Sequence, residues 1–204
     1  MIPAGYLLKR PIPPPEWLAT KARRIEQVCS VSECVSEDLV DPYAESPWQF
    51  NQHGLASRPE TLVDMAKRQG ADFSDSTLFF YRYFEKEMYS DGWDFDREFW
   101  EPLSKSTEVI PSRVLEPRDL NLTEKFLGYD VTTFESGIPD CLVPVHSPLS
   151  CNSVATDELV NSYCLFDNFT AAKQAVENSI FGTGCEPGVY RIVSVSLVEG
   201  FVPE

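Results

Sequence analysis

The alternation of apolar and polar residues predicts a sheet whose clearest strand is Thr77 to Tyr89. Aromatic residues occupy five of the six positions 79–84 and lie on both sides of this strand, so both faces are expected to be buried, as in a central antiparallel strand. The segment 188–198 alternates regularly and is expected to close the sheet. Further strands are predicted at 4–9, 107–115, 126–135 and 163–166.

Apolar residues at helical spacing predict helices at 16–28, 59–69, 155–161 and 169–180. The second helix has the strongest end signals, because Ser57 and Glu60 have capping-box spacing and Gly70 is placed to terminate it. Asp167 is the predicted cap of the last helix. Two stretches are expected to be loops, one at the surface over 41–48 and a long one, rich in Pro and Ser, over 136–154.

Strands and helices do not alternate regularly, which predicts an α+β fold with a largely antiparallel sheet packed with two to four helices. The length of 204 residues fits one compact domain spanning 1–204, and the apolar fraction of 43% is enough for a sizeable core. No internal repeat and no long polar linker is visible in the sequence.

Charge changes this picture most, because 32 acidic residues face 17 basic ones and the formal balance is −15. The imbalance is uneven: residues 1–24 carry +4 and the remaining chain carries −19. Such a surface repels nucleic acid and anionic membranes, so neither is expected as a direct partner. It suits fast, steered association with a basic protein.

The sequence also favours a cytoplasmic location. No basic start followed by an apolar run of secretory type is visible, and no stretch reaches the ~18 apolar residues of a membrane span. The six cysteines lack Cys-x-x-Cys spacing and are expected to be free, buried thiols, as is usual in a reducing compartment.

The segment 85–101 is the leading candidate for a partner-binding surface. It holds seven acidic residues against Lys86 and Arg97, with four Trp and Phe rings interleaved. Aromatic anchors rimmed by one sign of charge are typical of a protein-binding surface, because the rings supply contact and the charge supplies steering. The alternative is a hairpin whose rings enter the core. The predicted partner-binding residues are Asp91, Trp93, Asp94, Asp96, Glu98, Trp100 and Glu101.

Catalysis has weaker support in the sequence. Cys151 lies five residues after His146, and a thiol–imidazole pair oriented by Asn152 is the alternative hypothesis, together with a site built on carboxylates. Phosphate-binding glycine motifs are absent. The spacing of Cys141, His146, Cys151 and Cys164 matches no zinc motif, and 91–102 fails the calcium-loop pattern, so no metal or cofactor is expected.

These features together favour a small acidic binding protein over an enzyme. A bacterial immunity protein that neutralises a basic toxin would be small, acidic and aromatic-rich, and would lack a catalytic motif. An inhibitor that mimics nucleic acid would have the same character.

Overall fold

An antiparallel sheet forms the centre of the molecule. The structure is a computed structural model that describes residues 1–22, 24–31, 37–40, 51, 55–90, 93–94, 99–100, 105–106, 123–138, 141–144, 147–151, 154–157, 160–178, 180–181 and 189–201. The strands are β1 (Ile2–Arg10), β2 (Glu37–Asp38), β3 (Thr77–Ser90), β4 (Trp93–Asp94), β5 (Phe99–Trp100), β6 (Lys105–Ser106), β7 (Glu124–Ile138), β8 (Cys141–Pro144) and β9 (Val189–Val198).

The order of the strands in the main sheet is β2-β1-β3-β9-β7-β8, and β6 also pairs with β3. Every pairing in it is antiparallel. The prediction of β3 as a central strand is confirmed. The expectation that 188–198 closes the sheet is wrong, because β9 lies between β3 and β7 in the interior. Its residues Ile192, Val193 and Val195 are fully buried, which explains why such an apolar strand occupies the centre.

Helical segments cover one face of the sheet, which we call the helix face. The helical segments are α1 (Glu16–Lys21), α2 (Pro59–Arg68), α3 (Pro148–Cys151), α4 (Val154–Asp157) and α5 (Phe169–Glu177). Leu62 and Met65 of α2 pack with Tyr6 and Phe80, whose rings stack with centroids 4.5 Å apart. The buried residues of α5 share a second cluster with Val131 and Ile192.

The opposite face, which we call the loop face, is covered by irregular chain instead of helices. Tyr81, Tyr83 and Val195 of the central strands pack there against Cys29 and Val31. The α+β class and the largely antiparallel sheet are therefore confirmed. No described helix is long enough to cross a membrane, since α2, the longest of them, has 10 residues and a span needs about 20.

The helix predicted over 16–28 is wrong beyond Lys21. The backbone N–H groups of Glu26 and Cys29 donate to the carbonyls of Ser162 (2.9 Å) and Tyr163 (3.2 Å). These long-range bonds replace the intrahelical ones, so residues 24–31 run along the sheet as irregular chain. Local helical spacing carries no information about such a competing partner.

Both predicted side-chain helix caps are also wrong. The N-cap of α2 is Arg58 and makes no side-chain capping bond, while the Ser57 hydroxyl accepts from Asn51 Nδ2 at 3.4 Å. The N-cap of α5 is Asn168, whose side chain accepts from the N–H of Ala171 at 2.9 Å. Gly70 follows α2 with φ +71, the left-handed conformation expected of a helix terminator.

The long loop predicted over 136–154 is interrupted by regular structure, since β7 continues to Ile138 and both β8 and α3 follow. Of the helix predicted at 155–161, the structure describes the single turn α4, and residues 158–159 lie outside the described residues. The strand predicted at 163–166 is reduced to one bridge between Phe166 and Tyr129. The strand predicted at 107–115 and the surface loop at 41–48 lie outside the described residues.

The two halves of the sheet contain the same local structure, although no repeat is visible in the sequence. β1 has a register shift at Gly5 (φ +144), and β7 has one at Gly128 (φ +150). In each half, an Asn-x-x-x-Leu segment closes on itself: Asn51 N–H donates to Leu55 O, and Asn161 N–H donates to Leu165 O, both at 2.8 Å. We call these two segments the Asn clasps.

Each Asn clasp also fastens the strand that carries the glycine. Asn51 Nδ2 donates to the carbonyl of Ala4 at 2.7 Å, and Asn161 Nδ2 donates to that of Leu127 at 2.8 Å. The helix of the same half begins eight residues after the asparagine in both cases, at Pro59 and at Phe169. One strand–clasp–helix–strand unit is therefore present twice.

Candidate functional site

Lys9 is at the centre of a buried polar cluster on the loop face, beneath residues 28–31. The residue is 1% exposed, and its Nζ donates to the carbonyls of Ser30 (3.3 Å) and Val31 (3.0 Å). The same atom lies 2.9 Å from Oδ1 of Asp38 in β2. Burial raises the pKa of Asp38, and the adjacent ammonium opposes that rise. Lys9 thus fastens both β2 and the irregular segment to β1.

Asp130 in β7 is the second charged centre of the buried polar cluster. Its Oδ2 accepts from the N–H of Val31 at 2.9 Å, and its Oδ1 accepts from Ser147 Oγ at 2.5 Å and from the N–H of Val131 at 2.8 Å. Burial raises the pKa of Asp130 to about 6, although these three hydrogen bonds and Lys9 favour the charged form. The carboxylate joins the 28–31 segment to the loop before α3.

Two tyrosines and an arginine extend the buried polar cluster along the sheet. Tyr81 and Tyr83 are fully buried, and the guanidinium of Arg191 lies 3.8 Å from the centre of the Tyr83 ring. Burial raises the pKa of both phenols and lowers that of Arg191 to about 10. At neutral pH the phenols therefore stay protonated and the guanidinium stays charged.

Cys29 and Cys164, next to this cluster, carry free buried thiols, as predicted for the cysteines in general. Burial raises the pKa of each thiol to about 12. Because the thiolate is the nucleophile, neither cysteine is reactive at neutral pH. The cluster thus has the contacts of a structural network that holds residues 28–31 on the sheet, and its described thiols are not activated for catalysis.

The stability of the protein should depend on pH through Asp130. Its pKa in the folded state, about 6, lies above the ordinary value of 3.8, so between these limits the folded chain holds a proton that the unfolded chain releases. Stability should therefore fall as pH rises from about 4 to about 6, by up to about 3 kcal/mol. Urea unfolding at several pH values should show that Asp130→Asn removes this part of the slope.

Asp72 provides the matched control, because hydrogen bonds from the Ser74 hydroxyl and N–H lower the pKa of its exposed carboxyl. Asp72→Asn should remove a contribution of the opposite sign to the stability of the fold, because the ionised Asp72 stabilises the folded state more as pH rises. The free energy of unfolding should be compared between about pH 4 and pH 6.5, where the folded and unfolded states differ in the protonation of Asp130. If it changes with pH equally in Asp130→Asn and in the unmodified protein, the assignment to Asp130 is wrong.

The predicted partner-binding segment contains a short hairpin in its described part. β4 and β5 pair antiparallel, with Trp93 opposite Trp100 and Asp94 opposite Phe99. The pairing alone does not distinguish a binding surface from the alternative hairpin whose rings enter the core, so the binding hypothesis stays a prediction. Four of the seven predicted residues lie outside the described residues, namely Asp91, Asp96, Glu98 and Glu101.

The alternative thiol–imidazole site stays a prediction as well. Cys151 is the last residue of α3, while His146 and Asn152 lie outside the described residues. In the described part of the chain, no group of three or more His, Cys, Asp or Glu side chains is placed to hold a metal ion.

Sequence reasoning missed Lys9, Asp130 and the Asn clasps. Asp130 did leave a signal, because a lone carboxylate between Tyr129 and Val131 inside a predicted strand is expected to be buried and hydrogen-bonded. Lys9 left none, since a lysine at the end of a strand is ordinarily solvated.

In comparisons with known proteins, no family model, no curated protein and no solved structure matches the chain.

Proposed function

We propose that this protein is an acidic binding protein that neutralises a basic protein partner, of the kind represented by a bacterial toxin and its immunity protein. The segment 91–101 is the proposed contact surface, with Trp93 and Trp100 as anchors and the surrounding carboxylates as the steering charge.

The single observation that carries the proposal is how charge is distributed between the described core and the rest of the chain. Two cations, Lys9 and Arg191, are at most 3% exposed. Two carboxylates balance them, since Asp130 is fully buried and the Asp38 side chain is 14% exposed. The formal surplus of −15 is therefore carried by the remaining residues. A surface with that surplus attracts a basic macromolecule over long range.

Arg82 supports the same conclusion, because its charge is neutralised within the molecule. Its two terminal nitrogens donate to the two carboxylate oxygens of Glu124 at 2.6 and 2.7 Å, and its guanidinium lies 4.1 Å from the centre of the Phe80 ring. In a bidentate pair of this geometry, the positive charge of Arg82 and the negative charge of Glu124 neutralise each other. Cations at the middle of the sheet thus leave the acidic surplus undiminished.

The test begins with capture of a partner from lysate of the native host and measures its affinity at low and high salt. A basic partner should bind at least about tenfold more weakly at 0.5 M salt than at 0.05 M, because screening shortens the reach of the charges. Reversing Asp91, Asp94 and Asp96 to lysine should weaken binding at low salt by a similar factor and remove most of the salt dependence.

A matched control reverses three exposed carboxylates elsewhere, Glu26, Asp64 and Glu199, and changes the net charge by the same amount. This control should reduce the association rate modestly and leave the dissociation rate unchanged. Equal losses in the two triple variants would show that only net charge matters and that 91–101 is not the contact surface. Binding that is indifferent to salt would contradict the proposal altogether.

A further inference from the structure

We propose that the two halves of the chain are copies of one binding module, and that the partner each module fits is another copy of itself, joined through β3 and β9. This pairing does not depend on what the 91–101 segment binds.

The equivalence of the halves follows from register. Gly5 pairs with Tyr81 in the first half, and Gly128 pairs with Val195 in the second. Counting outward from these pairs makes Phe79 equivalent to Val193. The same count makes Tyr83 equivalent to Leu197.

The pairing of β3 with β9 is symmetric under this equivalence, whereas residues 24–31 of the first half add one-sided contacts to the second half, such as Glu26 N–H to Ser162 O at 2.9 Å. Across β3 and β9, Tyr81 pairs with Val195, its own equivalent. Phe79 pairs with Leu197, and the equivalents of these two residues, Val193 and Tyr83, also pair with each other. Such reciprocity is the signature of a twofold, isologous interface, in which one surface binds a second copy of itself. The pseudo-twofold axis passes through the Tyr81–Val195 pair.

The clasps show that the equivalence extends beyond the strands. A Cβ on Gly5 would lie 2.6 Å from Leu55 Cβ, 2.8 Å from Ala56 O and 3.1 Å from Asn51 Nδ2. A Cβ on Gly128 would lie 2.8 Å from Leu165 Cβ, 2.8 Å from Phe166 O and 3.0 Å from Asn161 Nδ2. The same three kinds of atom thus surround both glycines, in the same order of sequence, although the connecting segments differ in length.

The interface is of the kind that holds a dimer together. The central pair Tyr81 and Val195 is fully buried, and Phe79, Tyr83 and Val193 beside it are at most 2% exposed. An obligate interface is similarly apolar at its centre. Residues 91–122 connect the two modules, so a module from a second chain can take the place of the module within the same chain.

The experiment uses the full chain with a specific protease site inserted within 107–122, between the modules. After cleavage under native conditions, the two fragments should remain in one complex that elutes at the volume of the uncut chain. When isotopically labelled cleaved protein is added, native mass spectrometry should show mixed complexes, because whole modules exchange. Separation of the fragments in denaturant followed by mixing should restore the complex and its circular dichroism.

The matched control carries the same site within 41–50, which divides the first module between β1 and its Asn clasp. Its fragments should neither exchange as units nor recover the native signal after mixing. The proposal is overturned if the fragments cut between the modules fail to exchange natively, or if the two cleaved proteins reassemble equally well.

Discussion

Replacing Gly128 by alanine is expected to destabilise the protein by about 4 kcal/mol, since overpacking and strained backbone each contribute roughly 1–3 kcal/mol. The new Cβ would lie 2.8 Å from the backbone oxygen of Phe166, which cannot move without opening the bridge to Tyr129. The φ of +150 disfavours any side chain in addition. Gly5→Ala should behave in the same way. Thermal unfolding should show a midpoint lowered by about 8–16 °C.

Gly70 and Gly200 are the matched controls, because both have positive φ, +71 and +74, but nothing lies within 4 Å of an added Cβ. Alanine at either position should cost only about 1–2 kcal/mol, the penalty of the left-handed conformation alone. If Gly128→Ala and Gly200→Ala were equally stable, close packing of the clasp against the strand would not be what requires glycine at position 128.

Replacing Asn161 by alanine is expected to destabilise the protein by about 2–4 kcal/mol, because buried backbone groups lose their partners. Its side chain donates to Leu127 O at 2.8 Å and accepts from the N–H groups of Tyr163 (2.9 Å) and Leu165 (3.2 Å). Alanine provides neither function. Denaturant unfolding should give the same direction and a similar size for Asn51→Ala, since Asn51 makes the equivalent bonds to Ala4 and Leu55.

Asn168→Ala is the control for this pair of variants. Asn168 makes a single capping bond to the exposed N-terminus of α5, so its loss should cost about 1 kcal/mol. An Asn161→Ala protein no less stable than Asn168→Ala would mean that the clasp contributes nothing beyond one ordinary hydrogen bond.

The strands could be predicted because their side chains carry the information locally. Phe79, Phe80, Tyr81 and Tyr83 are apolar on both sides of β3, and all four are buried in the sheet interior. β9 was found for the same reason. Its place in the sheet could not be predicted, because strand order depends on which strands pair with each other. The alternation of apolar and polar residues within one strand does not identify its neighbours.

The Asn clasps and the irregular chain over 24–31 could not be predicted, because their partners are distant in sequence. Asn161 is 34 residues from Leu127, and Asn51 is 47 residues from Ala4. An isolated Asn-x-x-x-Leu pattern has no preferred structure by itself. The asparagine side chain finds its partner only in the folded sheet, where the carbonyl of the residue before each bulge glycine accepts a hydrogen bond from it.

The 91–101 segment is predicted as a binding surface from its acidic residues and its aromatic rings. These features do not determine which partner binds or how the segment folds. The burial of the charged residues Lys9 and Asp130 is not among the predictions from the sequence, because burial of a charge depends on tertiary partners. The 91–101 segment was singled out because seven acids and four rings in 85–101 are visible without any structure.

Hydrogen–deuterium exchange of the free protein and of its complex with the captured partner tests the central claim most directly. The account predicts that protection on binding is concentrated in residues 91–101, with Trp93 and Trp100 at its centre. Unchanged exchange across this segment, with new protection elsewhere on the surface, would contradict the account.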